Sequence, residues 1–161
     1  MIFSKSFGYA LRGVLYIAVM QDEKRYVQAE EIASGLSVPR HFMGKILKKL
    51  AKEKVLLSIK GPSGGFTLNE HTLKMPLMNL ITIMDGIQIF NSCTLRVTEC
   101  NATNPCPMHF QMEGVKSGLK SLLSDTTIGD LLETDKEEFI KSISTNASMS
   151  PITNSDGQKV Y

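Results

Sequence analysis

Residues 38–69 read VPRHFMGKILKKLAKEKVLLSIKGPSGGFTLN, and the fold follows from how this stretch divides. Its first half, VPRHFMGKILKKLAKE, has the period of a helix. Phe42, Ile46, Leu47 and Leu50 form one apolar stripe, and Arg40, His41, Lys45, Lys48, Lys49 and Lys52 fall mostly outward. Pro39 suits the first helical position, where its missing N–H removes no hydrogen bond. The second half holds two short β-rich runs, VLLSIK and FTLN, around the turn GPSGG, which is the pattern of a hairpin. Upstream, AEEIASGL reads as a short helix stopped at Gly35. From Ser6 to Met20, Phe7, Leu11, Val14, Leu15 and Ala18 recur at helical spacing, with Ser6 as the N-cap and QDEKR as the end. Helix, short helix, turn, basic helix and hairpin make a winged helix-turn-helix. In that arrangement the basic helix enters a major groove and the hairpin lies along the backbone or minor groove.

Charge agrees with this order. The net charge is only +2, but seven basic residues (Arg40, Lys45, Lys48, Lys49, Lys52, Lys54, Lys60) stand between positions 40 and 60 against the single acid Glu53. That window carries +6 and leaves −4 for the remainder. Taken alone, such a run is either a solvated helix face or a nucleic-acid contact. With 161 residues, 42% of them hydrophobic, the chain is long enough for one domain with an appendage and can bury a core without disulfides. The N-terminal stretch MIFSKSFGYALRGVLYIAVM is broken by Lys5 and Arg12 and lacks the ordered regions of a signal peptide. No apolar run is long enough to cross a bilayer, so no membrane association and a cytoplasmic location with reduced thiols are expected.

Beyond the hairpin, PLMNLITIMDG reads as a helix opened by Pro76 and closed by Gly86. Met108, Met112, Val115, Leu119 and Leu122 are then spaced 4, 3, 4 and 3 residues apart, a heptad seam on a long helix. Burial within one chain would account for so short a stripe. A dimer seam formed by Met112, Val115, Leu119 and Leu122 is the preferred reading, because winged-helix regulators usually read two-fold sites as dimers. Thr127 and Thr134 each precede an acid by three residues, which marks two brief capped helices. The expected fold is mainly α. It has a winged helix-turn-helix DNA-binding domain at 1–75, a linker helix, cysteine loop and dimerisation helix at 76–141, and a polar tail at 142–161.

All three cysteines lie in CTLRVTECNATNPCPMH, from Cys93 to His109. A reducing compartment and an odd count argue against a disulfide. Buried structural cysteines sit in apolar periodic segments, whereas these neighbours are Thr, Glu, Asn and Pro. The spacing C-x6-C-x5-C, with His109 three residues after Cys106, makes a four-ligand set of Cys93, Cys100, Cys106 and His109. Such a set suits zinc or an iron–sulfur cluster. Zinc motifs typically use close C-x2-C pairs, which are absent here, and wider gaps suit the larger span of a cluster.

SKSFGYALRGVLYIA, the turn KGPSGGFTL and the three cysteines with CPMH resemble the Rrf-two family of bacterial winged-helix transcription regulators (IscR-, NsrR- and RirA-like). The resemblance runs from about Met1 to Glu133. It implies a dimeric regulator, in the main a repressor, that binds palindromic promoter DNA and senses iron–sulfur status, nitric oxide, iron or redox state. IscR-like members hold a two-iron, two-sulfur cluster through three cysteines and a histidine three residues on, which corresponds to Cys93, Cys100, Cys106 and His109. A four-iron cluster is the alternative, and either is open to loss on aerobic handling. NsrR-like members use an acid near the N-terminus, where this chain has Gly8, which cannot ligate. Carried over by position, His41 and Lys45 approach base edges, Lys60 reaches toward the minor groove, and Ser63 and Gly64 lie near phosphate. Arg40, Lys48 and Lys49 complete the DNA-binding set. The first cysteine gap is one residue longer than the family's common one. Pro39, His41, Gly44 and Lys45 replace the more hydroxyl-, acid- and amide-rich helix of IscR-like members, so a different operator is expected. Two other readings keep the same cysteines: a regulator using zinc or reversible thiol and nitric-oxide chemistry, or a small iron–sulfur scaffold or electron carrier. The last has no need of a basic helix and wing. No enzyme is expected, since neither His41 nor His71 has a cysteine or serine nearby that suggests a nucleophile pair.

Overall fold

A buried first helix organises the fold. The computed structural model describes residues 3–93, 95, 100–132, 135–144, 152–153 and 159–160. Helix α1 (Lys5–Met20) buries Phe7, Ala10, Val14, Leu15, Ile17 and Val19 and packs against α2 (Ala29–Gly35), α3 (Arg40–Lys52) and α4 (Leu77–Asp85). Its cap is Ser4 rather than Ser6. The Ser4 hydroxyl oxygen accepts from the Phe7 N–H at 3.1 Å, while its own N–H and O–H both donate to the Asp85 carboxylate. Ser6 is already inside the first turn.

On α3 the buried stripe is Met43, Ile46, Leu47 and Leu50, and Phe42 lies outside it, 49% exposed. Phe42 had been expected in that stripe, and the difference has a packing reason. Gly13 of α1 faces α3, and a Cβ there would stand 3.2 Å from Met43 Sδ, so the missing side chain leaves room for Met43. With Met43 inward, Phe42 is turned by about 100° onto the flank of the helix. Pro39 is the N-cap, one position earlier than expected, and its carbonyl accepts from the Phe42 and Met43 N–H groups.

Both α2 and α3 end through a left-handed residue that is not glycine: Ser37 (φ 54°) and Lys54 (φ 60°). Val38 N–H reaches Ala33 O and Val55 N–H reaches Leu50 O, each at 2.9 Å, the six-to-one bond of a Schellman end. Gly35 is the last residue of α2, as expected, and it has a packing task as well. A Cβ at Gly35 would lie 2.5 Å from the Tyr16 ring, so the glycine lets α2 close onto α1. Left-handed backbone disfavours an L-residue by roughly 1–2 kcal/mol, and the extra unfolded-state freedom of glycine returns part of that. Ser37→Gly and Lys54→Gly are each expected to stabilise the chain by about 0.5–1 kcal/mol in thermal or urea unfolding. Gly35→Ala should instead destabilise it by about 1–3 kcal/mol through overpacking.

The hairpin pairs β1 (Leu56–Ile59) with β2 (Gly65–Leu68) antiparallel, with Leu56 opposite Leu68 and Ile59 opposite Gly65. Leu56 and Leu68 face the core, and Leu57 and Ile59 face outward. Val27 adds a bridge to Phe66, with both N–H···O bonds at 2.9 Å. At the turn, a Cβ on Gly64 would fall 2.1 Å from Ile59 O, so only glycine closes it. Behind the wing, buried Thr72 donates its hydroxyl to Val55 O at 2.6 Å and accepts from Asn69 N–H.

Gly86 (φ 80°) ends α4 as expected. A short 3-10 turn, Ile87–Phe90, leads into the cysteine loop, and α5 (His109–Asp125) follows. The end of α5 returns to the start of α4 through Leu77 N–H to Thr126 O and Ile128 N–H to Met75 O. Where a brief capped helix is expected after Thr127, a three-residue 3-10 turn (Gly129–Leu131) follows Ile128; the Thr127 O–H and N–H both donate to Asp130 Oδ2 and hold that carboxyl below its ordinary value. Helix α6 (Lys136–Ile143) is capped by Asp135; Thr134, the expected cap, lies outside the described residues. Within the expected tail, α6 runs on to Ile143, and two short strands, β3 (Ile152–Thr153) and β4 (Lys159–Val160), pair antiparallel. The rest of the tail lies outside the described residues. The architecture is mainly helical, a winged helix-turn-helix followed by a long helix. Among the described residues, no helix is long and apolar enough to cross a membrane.

Candidate metal centre and nucleic-acid face

The loop brings its cysteines together by local turn chemistry. Asn101 Oδ1 accepts from Thr103 N–H (3.1 Å), Thr103 O–H (2.7 Å) and Asn104 N–H (2.9 Å), an Asx turn that reverses the chain between Cys100 and Cys106. Cys106 N–H then donates to Cys100 Sγ at 3.3 Å. Cys93 arrives from the 3-10 turn, and its Sγ lies 3.6 Å from Cys106 Sγ. His109 opens α5 with its N–H on Cys106 O, and its Nδ1 lies 3.2 Å from Cys100 Sγ. The three sulfurs lie within 4.8 Å of one another, and no disulfide joins them. Together they can hold a metal.

Cys106 is the buried member, and burial pushes its thiol pKa up, reinforced by the adjacent thiols and partly offset by the Met108 backbone. A cleft of about 820 Å³ opens beside the sulfurs, lined also by Phe90, Met112, Glu113, Lys116 and Lys120. Lys116 donates to Ser92 O at 2.6 Å, which pins the residue before Cys93. Lys120 lies over the Phe90 ring at 5.9 Å. Sequence reasoning missed both Asn101 and Lys116. The Asn-Ala-Thr-Asn run carried a readable turn signal for the first, whereas nothing in the sequence pointed to the second.

His41, Lys45 and Lys48 are exposed on α3. Arg40 pairs with Glu30 of α2 at 3.0 Å, an exposed ion pair of little energetic weight. Lys49 is exposed, with its Nζ 3.5 Å from Met84 O at the end of α4. Lys60 and Ser63 are exposed on the wing, whereas Gly64 is buried and its N–H bonds Gly61 O. On α5, Val115 (62%) and Leu122 (60%) are exposed, while Met112 and Leu119 are half-buried. Leu119 packs against the core of its own chain. His71 is exposed beside Glu70.

The family described as Rrf2, iron-dependent transcriptional regulator, matches residues 3–134. An HTH-type transcriptional regulator of Aquifex aeolicus (strain VF5) is 35% identical over 141 residues, covering 86% of this chain and 96% of that protein. The regulator NsrR of Geobacillus kaustophilus (strain HTA426) is 24% identical, covering 78% and 85% of the two chains. IscR of Vibrio atlanticus (strain LGP32) is also 24% identical, covering 78% and 71%. Among solved structures, CymR, the global cysteine regulator of B. subtilis, superposes with a TM-score of 0.64 at 19% identity, covering 80% of this chain and 94% of that one. T. potens IscR gives 0.59 at 16% identity, covering 84% and 94%, which agrees on the fold. The curated relatives are regulators rather than enzymes, and this chain belongs to the Rrf2 family of transcriptional regulators.

Proposed function

We propose that the chain is a promoter-binding regulator, acting as a repressor, whose DNA binding is controlled by an iron–sulfur cluster held by Cys93, Cys100, Cys106 and His109. The observation that carries this is the convergence of three sulfurs within 4.8 Å, with an imidazole nitrogen 3.2 Å from one of them, beside a cleft of about 820 Å³. The donors fit the group: sulfur-rich and completed by one neutral nitrogen, they leave open space for an inorganic core larger than one ion. A two-iron, two-sulfur cluster bound there would supply a one-electron couple and a site whose occupancy answers to iron, oxidant or nitric oxide. In this reading residues 1–75 bind DNA, residues 76–141 hold the cluster and join two chains, and the operator is palindromic.

One observation favours a second reading with the same DNA function. A tetrahedral ion with metal–sulfur bonds of about 2.3 Å separates its sulfurs by roughly 3.8 Å, and Cys93 Sγ and Cys106 Sγ, 3.6 Å apart, are close to that. Anaerobically purified protein should show cluster absorption in the visible range, with iron and acid-labile sulfide in equal amounts. Colourless protein with one zinc per chain would replace the cluster by the ion.

The DNA half is tested separately. Duplex binding should weaken with salt, with a log–log slope of about −0.9 for each phosphate neutralised. Lys48→Ala should flatten the slope and weaken all sequences alike, whereas Lys45→Ala should change base preference at one position in each half-site. Binding indifferent to salt would sink the assignment of α3 and the wing.

A further inference from the structure

We infer that Phe42 is a specificity-determining residue that reads the 5-methyl group of a thymine in each operator half-site, an inference that rests on the DNA-binding reading above. Phe42 is the only large apolar side chain of α3 that the core leaves exposed, at 49%, while Met43, Ile46, Leu47 and Leu50 are buried. It sits in the first turn of the helix, the part of a recognition helix whose residues contact base edges. Its ring packs on the His41 ring, with centroids 4.2 Å apart, which restricts both side chains before any ligand arrives.

The surroundings select the occupant. Lys45, Lys48 and Lys49 are exposed on the same helix, and Lys49, seven residues on, shares the flank of Phe42. An apolar protein surface laid over Phe42 would strip water from these ammonium groups and offer them no anion. A duplex offers phosphates to the lysines, and its major groove offers one apolar group, the thymine methyl. Phe42 projects about 100° around the helix from His41. When His41 and Lys45 face the floor of the groove, Phe42 faces its wall, where the C5 methyl lies beside its own backbone.

The test needs only the full chain and synthetic DNA. Duplexes that bind tightest are selected from a random pool, and each thymine is replaced in turn by deoxyuridine, which removes the methyl and keeps the pairing edge. One thymine per half-site should matter, with binding falling about fourfold for each methyl lost, the worth of one buried carbon. Phe42→Ala should lose the same factor on the thymine duplex, become indifferent to that replacement, and keep the wild-type salt slope and melting temperature. Phe42→Leu should retain part of the methyl sensitivity. Equal responses of wild type and Phe42→Ala across the whole scan would overturn the inference. So would a Phe42→Ala chain that changes its oligomeric state, since the ring would then belong to a protein interface. If the pool yields no salt-sensitive duplex, the DNA-binding reading fails as well; a selected duplex without a methyl-dependent position removes Phe42 alone.

Discussion

Cys106→Ser is expected to yield a folded chain with metal content at background and no visible absorption. Cys106 is buried between the other two donors, 3.6 Å from Cys93 Sγ and hydrogen-bonded through its N–H to Cys100 Sγ. Serine keeps the shape, but its hydroxyl stays protonated at neutral pH and is a hard donor where the site is soft. Binding at a structural thiolate site is worth on the order of 10 kcal/mol, so removing one of three anionic ligands takes away most of the affinity. Cys100→Ser should do the same. His109→Ala removes a neutral donor instead and should leave a bound but labile centre. If a cluster is present, His109→Cys should keep it and lower its reduction potential, because a fourth thiolate adds negative charge. Loading should also depend on pH. Burial raises the Cys106 thiol pKa, so the metal-free form holds that proton more firmly, and uptake strengthens as pH rises toward the raised value and weakens as it falls. Full metal content in Cys106→Ser would place the centre elsewhere.

Leu122→Glu is expected to convert a dimer into a folded monomer and to weaken operator binding by about 10²–10⁴, the factor lost when two linked half-site contacts become independent. Val115 and Leu122 lie seven residues apart on α5 and are 62% and 60% exposed, so a charge at either disturbs no core of its own chain. Leu119 is the wrong position for this test. It packs against the core, and a glutamate there would confuse misfolding with dissociation. Sedimentation of wild type and variant at micromolar concentration, with DNA titrations on the same samples, reads both effects. A wild-type monomer, or a variant that remains dimeric, would remove the seam.

The winged fold was legible because its signals are local. A basic helix with one apolar stripe, a Gly/Pro turn between two short β-rich runs, and Pro76 and Gly86 around α4 each report on their own few residues. What was misread depends on contacts between distant residues. Ser4 rather than Ser6 caps α1 because Asp85, far along the chain, holds it. Met43 rather than Phe42 enters the core because Gly13 on another helix makes room. Both choices fit helical spacing, and size alone favoured the phenylalanine. Ser37 and Lys54 carry positive φ where composition suggests no turn, since the Schellman bonds of two packed helices hold them there. Within the candidate site, cysteine spacing announced a ligand set. The approach of the sulfurs depends on the Asn101 turn and on Lys116 reaching back to Ser92, and the second of these had no sequence signature.

His109, Val115 and Leu122 are carried on one uninterrupted helix, and that fixes how its length can vary. An α-helix advances about 1.5 Å and turns about 100° per residue, so its side chains keep phase with one another like teeth on a screw. One residue inserted between His109 and Val115 would swing the exposed apolar face about 100° around the helix while the imidazole stayed beside Cys100. Three or four inserted residues, close to a full turn, would bring the face nearly back at a greater height. Related chains that keep both features should therefore change length at positions 110–114 in helical turns.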